Sequence, residues 1–370
     1  MLNRLFLAGI IALPCASLAQ GNPAQANAGG AEATSDVGKT ANFGTLLSKQ
    51  TGSMHFYGKV VVAGGRLPWD PIPVVVICNG VTKYSTYASS RGEFDIATAN
   101  RESEVVTARS DLDRVESSQL VGCTVQAVAD GFDSNTLTIA NRSLQDDPSI
   151  GTITLRTNEK AKGSIVSPTT DSAPAEAQKE FDKAHADDMS HKKDSARKHL
   201  EKAVSIYPNF AEAWYHLGKL QETDKPQDAM ASLQKAVAAD PAFISPYQEI
   251  AALSANDKRW TDVVSATEKA LQLDPQGTPQ IWYFNAVGNL NIGNKDVAET
   301  SAEKALAMDP GHVAPNTEQL LAVIKAGRGD YAGALKHLRH CLTYTPAGPG
   351  ADLMKQQVAQ LEKLVPQSAQ

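Results

Sequence analysis

From Met54 to Arg156 the chain alternates short apolar, β-branched runs with turn-forming stretches. The runs are YGKVVVA (Tyr57–Ala63), PVVVIC (Pro73–Cys78), EFDIA (Glu93–Ala97), CTVQAVA (Cys123–Ala129), NTLTIA (Asn135–Ala140) and GTITLR (Gly151–Arg156). Gly, Pro, Asn and Asp separate them, as in AGGRLP, CNG and ADGFDS. A period of two turns every second side chain to one face, so several such strands at this spacing predict an all-β sandwich. Near residue 165 the texture changes. β-branched residues thin out, and Ala, Lys, Glu and Leu recur at helical spacing. Between the two halves, NEKAKGSIVSPTTDSA (Asn158–Ala173) reads as a polar linker.

The helical half carries a ladder of similar endings: EKAVSIYP, QKAVAADP, EKALQLDP, EKALAMDP and RHCLTYTP. They close at Pro208, Pro241, Pro275, Pro310 and Pro346, at intervals of 33, 34, 35 and 36 residues. Proline cannot continue a helix and forces its predecessor out of the helical region, so each ending is a stop. A near-constant period of this length marks a solenoid of helix pairs. Beyond AGPG, the run ADLMKQQVAQLEKLV (Ala351–Val365) places Leu353, Val358, Leu361 and Leu364 at helical spacing. It is expected to cap the last unit, whose apolar end is otherwise bare.

These positions resemble the tetratricopeptide repeat family, in which small residues sit where two helices cross and large apolar ones fill the space between units. The second unit matches best, with Trp214, Leu217, Gly218, Ala229, Leu233 and Ala236; the fifth has Cys341 where an alanine is usual. The β half resembles the carboxypeptidase regulatory-like family, on the residues GKVVVAGGRLPWDPIPVVVIC (Gly58–Cys78), SSRGEFDI (Ser89–Ile96) and CTVQAVADGFDSNTLTI (Cys123–Ile139). That likeness implies a glycine–x–phenylalanine corner at Gly92 and Phe94, a second at Asp130–Gly131–Phe132, and no enzymatic activity. The order of parts is similar to exported bacterial tetratricopeptide proteins. The expected fold is therefore an immunoglobulin- or transthyretin-like β-sandwich followed by an α-solenoid, all-β plus all-α. Its expected parts are a signal peptide (1–19), a leader (20–51), the sandwich (52–157), a linker (158–173), five repeats (174–346), and a capping helix and tail (347–370).

The leader assignments rest on Arg4 before LFLAGIIAL and the small residues Ser17 and Ala19, the pattern of a secretory signal. Pro14 argues against a lipid anchor on Cys15, and the residues from Gln20 to Thr51 carry no hydrophobic period. A net charge of −6 lacks the basic footprint of a nucleic-acid binder. The expected location is the periplasm or cell envelope. Export allows Cys78 and Cys123 to pair, and two buried free thiols are the other reading.

Candidate chemistry is sparse. HLRHC (His337–Cys341) puts two histidines and a cysteine on one helix, but no further ligands accompany them. His185 and His191 lie in a charged run, KAHADDMSHKKD, and read as surface. The paired carboxylates Asp146–Asp147 and Asp187–Asp188 fall in polar surroundings unsuited to acid catalysis. No catalytic residues, cofactor or metal are expected. The first helices of such arrays line a concave groove. In the repeat register Tyr215, Lys219, Glu222, Gln248, Asn256, Tyr283, Asn291 and Gln319 face it, either to hold an extended protein segment or as ordinary solvated positions. The chaperone-binding clamp of some family members is not reproduced. A second reading makes the sandwich a carbohydrate-binding module displaying Trp69, Tyr84 and Tyr87, with the repeats as spacer.

Overall fold

The computed structural model describes residues 55–63, 65–79, 81–97, 122–129, 131–139, 149–158, 161–308, 315–345 and 348–365. The expected signal peptide and leader, Asp130, Asp146–Asp147, Pro310 and Pro346 lie outside them.

Among the described residues, eight strands build two sheets. One has the order β4 (Glu93–Ala97), β1 (His55–Val62), β8 (Ser149–Thr157), β6 (Phe132–Ser134). The other has β3 (Val81–Ala88), β2 (Ile72–Cys78), β5 (Thr124–Ala127), β7 (Leu137–Thr138). Neighbours run antiparallel except β1 and β8, which are parallel. The period-two pattern is realised in β2, where Ile72, Val74, Val76 and Cys78 are buried and the residues between them half-exposed. They meet Phe56, Val60, Ile96, Val125, Ile153 and Leu155 in one core shared by both sheets. Gly92 takes φ +80 in the turn before β4, where a Cβ would stand 2.1 Å from the Val60 carbonyl oxygen, and Phe94 is buried two residues later. Only glycine fits that corner. Cys78 and Cys123 are joined by a disulfide across 45 residues. Closing a loop of that length restricts the unfolded chain by about 4 kcal/mol.

Eleven helices follow among the described residues. They pair as α1 (Ala175–Met189) with α2 (Lys193–Ile206), α3 (Ala211–Gln221) with α4 (Pro226–Ala239), and α5 (Ser245–Asn256) with α6 (Trp260–Leu273). The last two pairs are α7 (Pro279–Asn291) with α8 (Lys295–Ala307) and α9 (Pro315–Gly327) with α10 (Tyr331–Tyr344). α11 (Pro349–Glu362) packs on α10, with Met354 and Leu361 buried against Leu338 and Cys341. The residues before the corner prolines, Tyr207, Asp240 and Asp274, are all extended, which is how each second helix ends. The small residues do what the pattern asks. A Cβ on Gly218 would stand 2.9 Å from Leu233, and one on Gly288 2.9 Å from Val264.

One position in the first helices ties each unit to the turn before it. Trp214 donates its indole N–H to the Pro208 carbonyl at 2.8 Å, Tyr247 its hydroxyl to Pro241 at 3.1 Å, and Trp282 its N–H to Gln276 at 2.7 Å. Lys235 and Lys304 lie over the two indoles at 4.1 and 4.0 Å. In the first and fifth units this position is a buried glutamate. Glu180 meets His199, Lys183 and Lys202, and Glu318 meets His337 and His340. The two histidines of HLRHC are thus held by a carboxylate, while Cys341 is fully buried.

The segment expected as a linker runs along the array as a strap. Lys162 donates its N–H to Leu273, Ser164 to Ala242, and Ile244 returns one to Ser164. Further on, the Ser167 N–H goes to Glu212 Oε1 at 2.9 Å and its hydroxyl to Asp240 Oδ2 at 2.6 Å. The strap therefore passes from the third unit back to the first, bonding at the corners where those units turn. Gly163 is pressed so close that a Cβ would lie 2.5 Å from the Ala242 carbonyl oxygen. Above it, Gly131 of the sandwich (φ +77) donates to Asp274 Oδ2, and its own Cβ position is 2.5 Å from the Gly163 carbonyl oxygen. Backbone rests directly on backbone through all three layers.

Candidate functional site

First helices of successive units, α3 with α5, α5 with α7 and α7 with α9, approach one another, so they line the inner side of the array. At its beginning this face is already occupied. The β1–β2 loop, residues 66–71, reaches across and inserts Trp69 and Asp70 into a slot formed by α1 and α3.

Trp69 stacks on His216 with ring centroids 4.0 Å apart and planes 22° from parallel. Phe181 meets it edge-on at 5.0 Å and His185 lies at 4.7 Å. Its indole N–H donates to Asp188 Oδ2 at 3.2 Å. Asp70 accepts the Tyr215 hydroxyl on Oδ2 and the Lys219 ammonium on Oδ1, both at 2.7 Å. Arg66 adds an exposed ion pair with Asp182.

The electrostatics follow from that packing. Burial alone would raise the Asp70 carboxyl, but Lys219 and the hydrogen bonds from Lys219 and Tyr215 hold it down to about 2. Burial pushes His216 down to about 3 in spite of Asp70, so its ring is neutral at pH 7 and stacks as an uncharged aromatic. Burial also works against the Lys219 ammonium, and Asp70 and Glu249 overcome it, keeping the amine above its usual range. Burial and the Asp70 charge raise Tyr215 well above the ordinary phenol range, so it stays a donor.

One step along the face, Glu222 and Glu249 lie side by side. Burial pushes both up; repulsion from Glu249 helps take Glu222 to about 8, and the Asp70 charge adds to the rise of Glu249, so the pair retains a proton near neutral pH. One oxygen of Glu222 is buried without a hydrogen-bond partner.

The expected groove residues fall into three groups. Tyr215 and Lys219 are engaged by the chain's own loop rather than free for a partner, and Glu222 adjoins them. Gln248 and Tyr283 are half-buried, Tyr283 against Phe284 at 5.7 Å, and Asn256 and Asn291 are exposed at the ends of α5 and α7. The Asn291 amide turns back to the Val287 carbonyl. Gln319 is a correction: its amide points at Met354 Sδ, 3.4 Å away, into the seam that α11 covers.

Two further readings are corrected. Trp69 is not displayed by the sandwich but packed into the array, and His185 is not a surface group but lies beneath that indole, its Nε2 buried and unbonded. Sequence reasoning missed Asp70, His216, Glu249 and Asp240. The recurring Asp-Pro before the third and fourth units was the available signal for Asp240 and Asp274. Among the described residues no group of His, Cys, Asp and Glu is placed to hold a metal, and no helix is long and apolar enough to cross a membrane.

Comparison with protein-family models and with curated proteins finds no match. Solved structures do show a likeness. MamA (residues 41 to the end) from Desulfovibrio magneticus RS-1 is 15% identical, with a TM-score of 0.42, over 46% of this chain and 95% of that one. A tetratricopeptide repeat protein from Parabacteroides merdae ATCC 43184 is 17% identical, with a TM-score of 0.44, over 52% and 74%. YrrB, described as a TPR protein with an unusual peptide-binding site, is 17% identical, with a TM-score of 0.44, over 49% and 92%. Each covers about half of this chain, and nothing about partners or activity follows from likeness this distant.

Proposed function

We propose that this chain is a non-catalytic interaction scaffold of the tetratricopeptide type, whose inner face holds an extended segment of a protein partner in the cell envelope. One observation carries the reading: the face already holds a segment of irregular backbone, gripped through an indole and a carboxylate. The disulfide supports an extracytoplasmic location, because such bonds persist in oxidising compartments. The carbohydrate reading loses its ground. Trp69 is docked, Tyr84 packs on the sandwich core, and Tyr87 alone of the three stands 46% exposed.

Site-specific photo-crosslinking tests the proposal. A photoreactive side chain at Asn256 or Asn291 should capture a discrete protein from envelope extract, whereas one at Glu201 or Lys336, exposed on second helices, should not. Identical products from both faces would refute the groove assignment.

A further inference from the structure

The loop and the strap hold the sandwich to the array in different ways, and the difference bears on what the slot is for. The strap joins the two parts through backbone hydrogen bonds and buried acceptors at the unit corners. The loop adds a second contact, made of different materials. Its ion pair is one-third exposed on both sides, so water screens part of the attraction. Its ring stack sets a half-buried indole against two histidines and Phe181, so only part of the ring is withdrawn from water. The loop has no regular structure over residues 66–71, and the strap's bonds do not pass through it, so its departure would leave them in place. The slot it would vacate has a definite chemistry: an aromatic cleft between Phe181, His185 and His216, then a hydroxyl and an ammonium converging on one carboxylate.

We propose that this slot is a recognition site for a partner segment in which a large aromatic residue is followed directly by an aspartate or glutamate, and that Trp69–Asp70 occupies it as an internal stand-in. The inference rests on the scaffold reading and names the partner chemistry. The partner's advantage lies in length. A segment continuing along the inner face meets Gln248, Tyr283 and the exposed amides of Asn256 and Asn291, which the loop does not reach. The loop's advantage is its tether, which gives it an effective concentration on the order of millimolar. A short copy of the motif should lose to it, and a longer partner segment can win.

The test uses a fluorescein-labelled, end-blocked peptide of residues Arg66–Pro71 and the full chain with Trp69→Ala/Asp70→Ala, which empties the slot. We expect saturable binding to the emptied chain, at least about tenfold weaker binding to the wild type, and loss of binding on adding Lys219→Met. A peptide with both motif residues replaced by alanine should not bind. Asp70→Asn alone keeps the indole but gives up the ion pair with Lys219, and serves as a second, more weakly occupied form should the double variant fold poorly. No saturable binding to either variant, equal binding to emptied and wild-type chains, or equal binding of the alanine peptide would overturn the proposal. Trp69-dependent dimers in sedimentation would assign the slot to a second copy and also overturn it. Failure here with persistent crosslinks from Asn256 and Asn291 removes the motif and leaves the scaffold. Crosslinks lost with peptide binding retained does the reverse.

Discussion

The strap and the loop both join the β half to the helical half, yet they are built from opposite materials. The strap is backbone against backbone, with glycines where there is no room for a side chain and buried acids accepting N–H and O–H groups. The loop is side chain against side chain, partly wet, with charges at its centre. A buried acceptor that loses its donor costs the full desolvation of the group, whereas an ion pair one-third exposed on both sides is partly screened and costs less to break. One joint is therefore structural and the other available for exchange, and each variant below tests that division.

The strap should be hardest to alter. Gly163→Ala drives a Cβ into the Ala242 carbonyl, which the backbone can relieve only by lifting the strap. A loss of about 3 kcal/mol in urea unfolding of the full chain is expected. If Gly163→Ala is neutral, the strap is not tightly seated. Asp240→Ala should cost about 2 kcal/mol, because the Ser167 hydroxyl and the Ala242 N–H lose their common acceptor. Trp69→Ala should cost up to about 2 kcal/mol by the same measurement, from the ring contacts and the half-buried indole surface together, while making the loop a preferred site of proteolysis. A larger loss than that of Asp240→Ala would reverse the division.

Acid should move the two joints in opposite directions. His216 and Asp70 are both depressed in the folded chain, so the loop contact is fully present above pH 6.5. It weakens as pH falls from there toward about 3 for His216, and from about 3.8 toward about 2 for Asp70. Burial raises Glu212, which accepts the Ser167 N–H, to about 6, so the strap is favoured as pH falls from about 6 toward 4.5. Fluorescence of Trp69, in a chain whose other tryptophans are replaced by phenylalanine, should report release between pH 6.5 and 4.5. Scattering should show an unchanged overall dimension over the same range. Expansion in step with the fluorescence would mean that the two joints are one. The smallest effect expected is that of Lys219→Met on stability, below about 1 kcal/mol.

Much of the helical half was legible because its cause is local. A proline ends each turn whatever the rest of the chain does, and a ladder of them fixes the helix pairing. Gly92 and Phe94 were legible for the same reason, as a corner and the core residue that follows it. The slot was not, because its pairs lie from 112 (Trp69 to Phe181) to 149 residues apart in the sequence. RLPWDP looks like a surface turn until α1 and α3 are in place. The strap was misleading in another way. Its serines, threonines and glycines have the composition of a flexible tether, and in the folded chain the same hydroxyls and small residues are what let it lie flat against Asp240 and Ala242.

That strap decides where the molecule can be divided. The obvious cut, at the composition shift near Ala173, would release an array in which Glu212 and Asp240 have lost their bonds from Ser167 and the corners of three units are bare. An array begun at Asn158 keeps its strap and loses the lodger and the Gly131 bond to Asp274. Binding measured on the shorter fragment would report new surface exposed by the scissors, and binding on the longer one would report the slot.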